Sequence, residues 1–232
     1  MRGVVNQART AKRASPLQRL LALALLLMLA APAFAQSLQS SLDAALSRPA
    51  PAQAPADAVR TLAFARDAAI TAREREAIIA HLAQQPGAAQ MAPAIRSGKL
   101  MQSFDGLLRR YGYSPQNLGD VLAAYLVISW EIVNAADSND EPAGQRAVRR
   151  QLAGALASVP SIAKMSDAQK QAQAERTAYL TMIAGSAYQA LKTGQDPARL
   201  EDLQRSVRND LLKSSGIDLK RMALTDGGLV KR

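Results

Sequence analysis

The chain of 232 residues has no cysteine, one histidine, one tryptophan and only 4% aromatic residues. Without cysteine there is no disulfide, no thiolate metal site and no thiol nucleophile, so stability has to come from packing alone. A single histidine, His81, excludes an HExxH zinc pair. It would also have to serve any Ser-His-Asp triad, and no G-x-S-x-G elbow supplies the nucleophile; AGSAY, around Ser186, is only superficially similar and sits mid-helix. Beside Ile78, Ile79 and Leu82, His81 reads as an ordinary boundary histidine. No phosphate loop and no G-x-G-x-x-G occurs, so neither a cofactor nor a metal is expected. The acidic cluster DSNDEP, Asp137 to Pro142, fails as an EF-hand because its sixth and twelfth positions hold Pro142 and Val148 instead of Gly and Glu. It reads as a solvated loop whose acids favour the next helix N-terminus.

What the chain does have begins at its N-terminus. Arg2, Arg9, Lys12, Arg13 and Arg19 precede an apolar run from Leu20 to Ala31, and Ala33-Phe34-Ala35 forms a small-x-small site before Gln36. This is the pattern of a cleavable signal peptide over residues 1–35. Twelve helical residues reach about 18 Å, short of the ~30 Å hydrocarbon core, so the run is not a membrane span. The absence of cysteine excludes a lipobox, and no twin-Arg pair precedes the run. Export to the periplasm or beyond is therefore expected. Cleavage removes five basic residues and no acid, so the formal charge falls from +10 to +5 over the remaining 197 residues. Mild, interspersed charge on an exported chain argues against nucleic acid as a partner. The length suits one domain.

Residues 36–57 include SRPAPAQAPAD, which has no large apolar residue and favours solvated, extended backbone. A disordered Pro/Ala-rich leader is expected there, followed by a helical domain over 58–232. Ala, Leu, Gln and Arg dominate that domain, and its apolar spacing is helical. Thr71-x-x-Glu74 predicts a capping box opening a helix that stops before Pro86-Gly87. Ser97 is placed to cap a helix to Arg110, closed by Gly112. Ser114-Pro115 predicts the start of the next, and Asp140 with Pro142 the one after, ended by Pro160. Ser166-x-x-Gln169 is a second capping box before a long helix ended by Gly194. Asp196-Pro197 opens the last, which Gly216 terminates. The expected fold is all-α, a single bundle of about six helices.

Its centre is predicted to be YGYSPQNLGDVLAAYLVISWEIVN, Tyr111 to Asn134. At ~100° per residue, Leu118, Val121, Leu122, Tyr125, Leu126, Ile128, Ile132 and Val133 cover more than half its circumference. Asp120, Ala124, Val127, Glu131 and Asn134 share one narrow strip, and three polar groups in so short a segment exclude a membrane span. Glu131 is the one catalytic candidate, as a general acid for an envelope hydrolase. Asp120 cannot be its partner, because eleven residues of helix separate them by about 16 Å, beyond the ~5–9.5 Å of a carboxylate pair. The plainer reading is a boundary Glu paired with an Arg or facing solvent. Arg146, Arg149 and Arg150 share a face that suits an anionic surface, or simply solvent. The long helix from Asp167 to Thr193 has a polar first half, SDAQKQAQAER, expected to project from the bundle or cover a groove and so to offer an interaction surface.

Helical periodicity does not account for the tail, Ser214 to Val230. Its Gly-aliphatic-Asp-Leu, Met-x-Leu-Thr and acidic-Gly-Gly order resembles the closing segment of an uncharacterised family of exported bacterial helical proteins, a domain of unknown function. The YGYSPQNLGDVLAAYLVISWE core, the Arg-rich helix after it and SDAQKQ also look like features of that family, over roughly Leu62 to Val230. The resemblance implies export and an all-α fold, and implies no activity. A non-enzymatic protein that binds an envelope or secreted protein, or packs at the envelope, is the leading expectation. The alternatives are the hydrolase using Glu131, and a carrier of an apolar ligand between helices that uses Tyr125, Trp130 and Tyr179.

Overall fold

A computed structural model of the chain describes residues 32–84 and 89–232; the N-terminal basic and apolar segments lie outside the described residues. The described residues form ten α-helices and one β-hairpin: α1 (Pro32–Leu46), α2 (Ala56–Leu62), α3 (Ala68–Ala83), α4 (Ala92–Arg96), α5 (Lys99–Arg110), α6 (Leu118–Asn134), α7 (Pro142–Ala157), α8 (Pro160–Ala163), α9 (Asp167–Thr193), α10 (Pro197–Ser215), β1 (Met222–Thr225) and β2 (Gly228–Lys231). The fold is thus mostly helical, as expected. None of these helices is long and apolar enough to cross a membrane.

Several caps stand where the sequence places them. Ser166 and Gln169 form the reciprocal capping box of α9, Asp196 caps α10 from the residue before Pro197, and Gly216 closes α10 in the left-handed conformation at φ 71°. Two starts differ. Helix α3 is capped by Asp67, whose Oδ1 accepts the Ala69 N–H at 2.7 Å, so Thr71 and Glu74 lie inside the helix. Helix α6 is capped by Asn117, whose Oδ1 accepts the Asp120 N–H at 3.1 Å. Its Nδ2 also donates to the Val59 carbonyl at 2.9 Å, tying α6 to α2. A cap that makes both bonds displaces Ser114, which instead turns the chain before Pro115.

Helix α6 packs mainly between α9, α7 and α10. Its sides are buried almost all round, from Leu118 to Val133, so its polar groups have to find partners inside the protein. Asp120, 3% exposed, takes Arg149 in a two-pronged pair at 2.6 and 2.9 Å and the Ser114 N–H at 2.7 Å. Arg149 is therefore not available to an anionic surface, and Arg150 donates to the Pro51 carbonyl at 2.7 Å. Of the triplet, Arg146 alone is exposed. At the other end of α6, Trp130 Nε1 donates to the Met222 carbonyl at 3.0 Å and Asn134 Nδ2 to the Leu219 carbonyl at 3.1 Å.

The polar first half of α9 does not project. Gln171 and Glu175 are 0% and 1% exposed, because this half is bonded to α3 and the turn before it. Gln171 Oε1 accepts the Asp67 N–H and its Nε2 donates to the Asp67 carbonyl, both at 2.7 Å. Glu175 Oε1 accepts from Thr71 at 2.7 Å. Glu74, 1% exposed, pairs with Arg176 at 2.5 Å and Arg73 at 2.9 Å, and Arg66 grips Asp105 with two bonds. A polar pattern at helical spacing here marks a buried hydrogen-bond network rather than an interaction surface.

Both ends of the described chain fold onto α7. The disordered leader expected over 36–57 is instead α1 followed by an ordered arm. Leu42 and Leu46, one turn apart, are 7% and 2% exposed, and that apolar stripe packs α1 into the core. The proline-bearing arm beyond it is tied by the Ala50 N–H to the Gly227 carbonyl at 2.7 Å. The tail departs from the all-α expectation as an antiparallel hairpin with Met222 opposite Lys231 and Thr225 opposite Gly228. Gln151 joins the two ends: its Oε1 accepts the Leu229 N–H at 3.0 Å, and its Nε2 donates to the Arg48 and Leu229 carbonyls at 3.0 and 3.1 Å. At Gly228, φ is 97° and a Cβ would stand 2.2 Å from Gln151 Oε1, so a side chain there is excluded by both conformation and space.

Asp120→Ala removes the counter-charge of Arg149 and the acceptor for Ser114 together. It is expected to destabilise the fold by about 3 kcal/mol, with Asp120→Asn costing less, as read by urea unfolding at constant denaturant slope.

Candidate functional site

Along α6, the narrow strip seen in the sequence has a divided role. Its ends, Asp120 and Asn134, are consumed by the internal bonds just described. Its middle, Ala124, Val127 and Glu131, forms one wall of a cleft of about 590 Å³, and Ile128 completes that wall. The spacing i, i+3, i+4, i+7 places these four on one helix face. Met182, Gly185, Ser186 and Gln189 of α9 face them, and Leu107, Leu108 and Tyr111 close the end at the C-terminus of α5. Glu131 is the only carboxylate among the residues that line the cleft.

Glu131 sits half-buried and is held from one side. Ala135, the C-cap of α6, is left-handed at φ 52°, which turns the chain back so that residue 138 returns to the helix it has just left. Ser138 then donates both its N–H and its hydroxyl to Glu131 Oε1, at 2.8 and 2.5 Å. Ser138 is fixed in turn by Gln145, whose Nε2 donates to the Ser138 carbonyl at 2.7 Å and to its Oγ at 2.9 Å. Tyr113 donates to the Gln145 carbonyl at 2.7 Å, and Arg149 lies over the Tyr113 ring at 5.8 Å. A continuous set of contacts thus runs from the Asp120–Arg149 pair to Glu131. Tyr111 donates to Asn139 at the cleft's edge.

Burial pushes the Glu131 carboxyl above its ordinary range, the two Ser138 bonds pull it back down, and the nearby Asp137 charge pushes it up again. The upward effects win, because a desolvated anion without a counter-cation is disfavoured. The expected alternatives, an Arg partner or free solvent exposure, are both absent: among the described residues no basic side chain pairs with Glu131. The DSNDEP segment is likewise not wholly a solvated loop, since Ser138 within it is 2% exposed.

The aromatic residues expected to hold an apolar ligand lie elsewhere. Trp130 is bonded to the hairpin, Tyr179 is 1% exposed in the core, and Tyr125 is not among the cleft residues. His81 is half-buried with no partner for its Nε2, and burial lowers its pKa. Ser186 stands mid-helix on the cleft rim. Sequence reasoning found Glu131 but missed Ser138, Gln145 and Tyr113, which reach it across a loop and a second helix with no spacing rule to reveal them.

Against the known families, residues 28–232 match the one described as Family of unknown function (DUF6683). The chain belongs to the DUF6683 family. No curated protein and no solved structure matches it. Membership in DUF6683 agrees with the resemblance read from the tail and the α6 segment, and it assigns no activity to the cleft.

Ser138→Ala keeps the backbone N–H bond to Glu131 and deletes the hydroxyl one. The Glu131 titration midpoint is expected to rise further, followed by carbon-13 NMR of the side-chain carboxyl; an unchanged or lower midpoint would show that the hydroxyl does not stabilise the anion.

Proposed function

We propose that this DUF6683 chain is an exported, non-enzymatic helical protein that binds a small, mainly apolar ligand in the cleft between α5, α6 and α9. The observation that carries the reading is the cleft itself. Its volume of about 590 Å³ lies in the range of small-molecule sites, and apolar walls with a few placed polar groups are their usual make-up. The reading keeps the carrier idea and moves it to a different set of residues. Docking of a protein partner on an apolar patch has less support, since Leu212 is the one large apolar residue found exposed among those described, and isolated apolar residues do not make a binding patch. Hydrolysis by Glu131 draws no support from a cleft with no second carboxylate in its lining. Export rests on the basic, apolar and Ala33-Phe34-Ala35 pattern of the first 35 residues.

The test uses Gly185. A Cβ added there meets only the Ile128 side chain, at 3.9 Å, so Gly185→Leu is expected to fold while filling the cleft. Native protein is expected to bind the neutral apolar fluorophore N-phenylnaphthylamine saturably, and Gly185→Leu to weaken that binding by at least about tenfold with unchanged circular dichroism. Equal binding by both proteins would remove the cleft from the account. Export is checked separately by the intact mass of periplasmic protein, which is expected to begin at Gln36.

A further inference from the structure

The charge in the cleft says more about the ligand than the volume does. Ser138 occupies Glu131 Oε1 with two bonds, while Oε2 receives none from the protein. The buried polar atoms without a partner among the described residues are Arg66 Nε, Arg75 Nε, His81 Nε2 and Glu175 Oε2. Glu131 Oε2 is not one of them, so it keeps solvent access, on a residue that lines the cleft. No basic side chain among the described residues lies within ion-pair distance of it. Lys192 holds its ammonium over the Tyr188 ring at 5.9 Å instead, and makes no ion pair among the described residues. The other acid whose field reaches Glu131 is Asp137, which has the same sign and deepens the negative potential at that end of the cleft.

A carboxylate fixed by its own backbone neighbour, partly stripped of water and facing apolar walls, favours one kind of partner. An anionic ligand is repelled, and a neutral one leaves the charge uncompensated. A cation that donates hydrogen bonds gains more here than in water, because the local dielectric is lower and the acceptor is already oriented. Resting on the cleft reading above, we propose that the ligand is an amphipathic amine, with an apolar body against Val127, Ile128 and Met182 and a protonated amino or guanidino head donating to Glu131 Oε2. The side chains of Ser186 and Gln189, exposed at the rim with no hydrogen bond among the described residues, are available to polar groups further along the ligand.

Three probes of equal chain length separate the contributions: octylammonium, n-octanol and octanoate, titrated into the purified chain by calorimetry. Octylammonium is expected to bind at least about tenfold tighter than octanol, as one charge-assisted hydrogen bond requires, with octanoate weakest. In Glu131→Gln, which retains an oxygen acceptor for Ser138, the preference of ammonium over octanol should collapse to about unity. Gly185→Leu should block all three probes.

Failure takes distinguishable forms. If octanol and octylammonium bind equally and Gly185→Leu blocks both, the cationic head is wrong and the apolar cleft stands. If the ammonium preference survives in Glu131→Gln, then Glu131 is not its partner. If no probe binds, both readings fall.

Discussion

The enclosure of α6 is the constraint on which the rest of the structure depends. A helix buried on nearly every side cannot leave a carboxylate, an indole N–H or an amide to water, and each such group on α6 has recruited a neighbour. Asp120 recruits Arg149 from α7 and the turn before the helix. Trp130 and Asn134 recruit carbonyls of the C-terminal segment. These bonds fix what lies next to what, because leaving a buried polar group unmade costs more than its formation gains. Glu131 differs from the rest, since only one of its oxygens is satisfied by the protein.

The same logic explains α9. Its first half is as polar as a solvent-facing helix, yet it forms a buried interface with α3 through Gln171, Glu175, Thr71 and Asp67. The two long helices therefore cross the interior with different chemistry. Among the described residues, Gln171, Glu175 and Arg176 bond α9 to α3, and no side-chain hydrogen bond joins α9 to α6. Ala124 of α6 and Gly185 of α9, both small, line the cleft. The ends of the chain stabilise the opposite side, with α1 and the hairpin meeting on α7 around the two-faced amide of Gln151.

Much of this was legible in the sequence, and what was not has identifiable causes. Helices α7, α9 and α10 announce themselves through caps, prolines and glycines, whose effects are local. The enclosure of α6 follows from its wide apolar arc. The caps of α3 and α6 were misplaced because Asp67 and Asn117 make tertiary bonds that a local rule cannot weigh against Thr71 or Ser114. Helix α1 was hidden by its proline-rich continuation, although the spacing of Leu42 and Leu46 was visible. The hairpin was recognised only as something other than helix. In the site, Glu131 was legible as an acid among aliphatics. Ser138, Gln145 and Tyr113 were not, because their contact with it depends on the left-handed turn at Ala135 and on the packing of α7.

If α6 is held by internal partners on nearly every side, it should open only when the whole domain does. Native-state hydrogen exchange of the α6 amides tests this most directly, measured as a function of added urea. The expected result is that amides from Ala124 to Val133 share the free energy and denaturant slope of global unfolding. Exchange of those amides through small local openings, with little dependence on urea, would contradict the enclosure of α6 and the fixed cleft wall built on it.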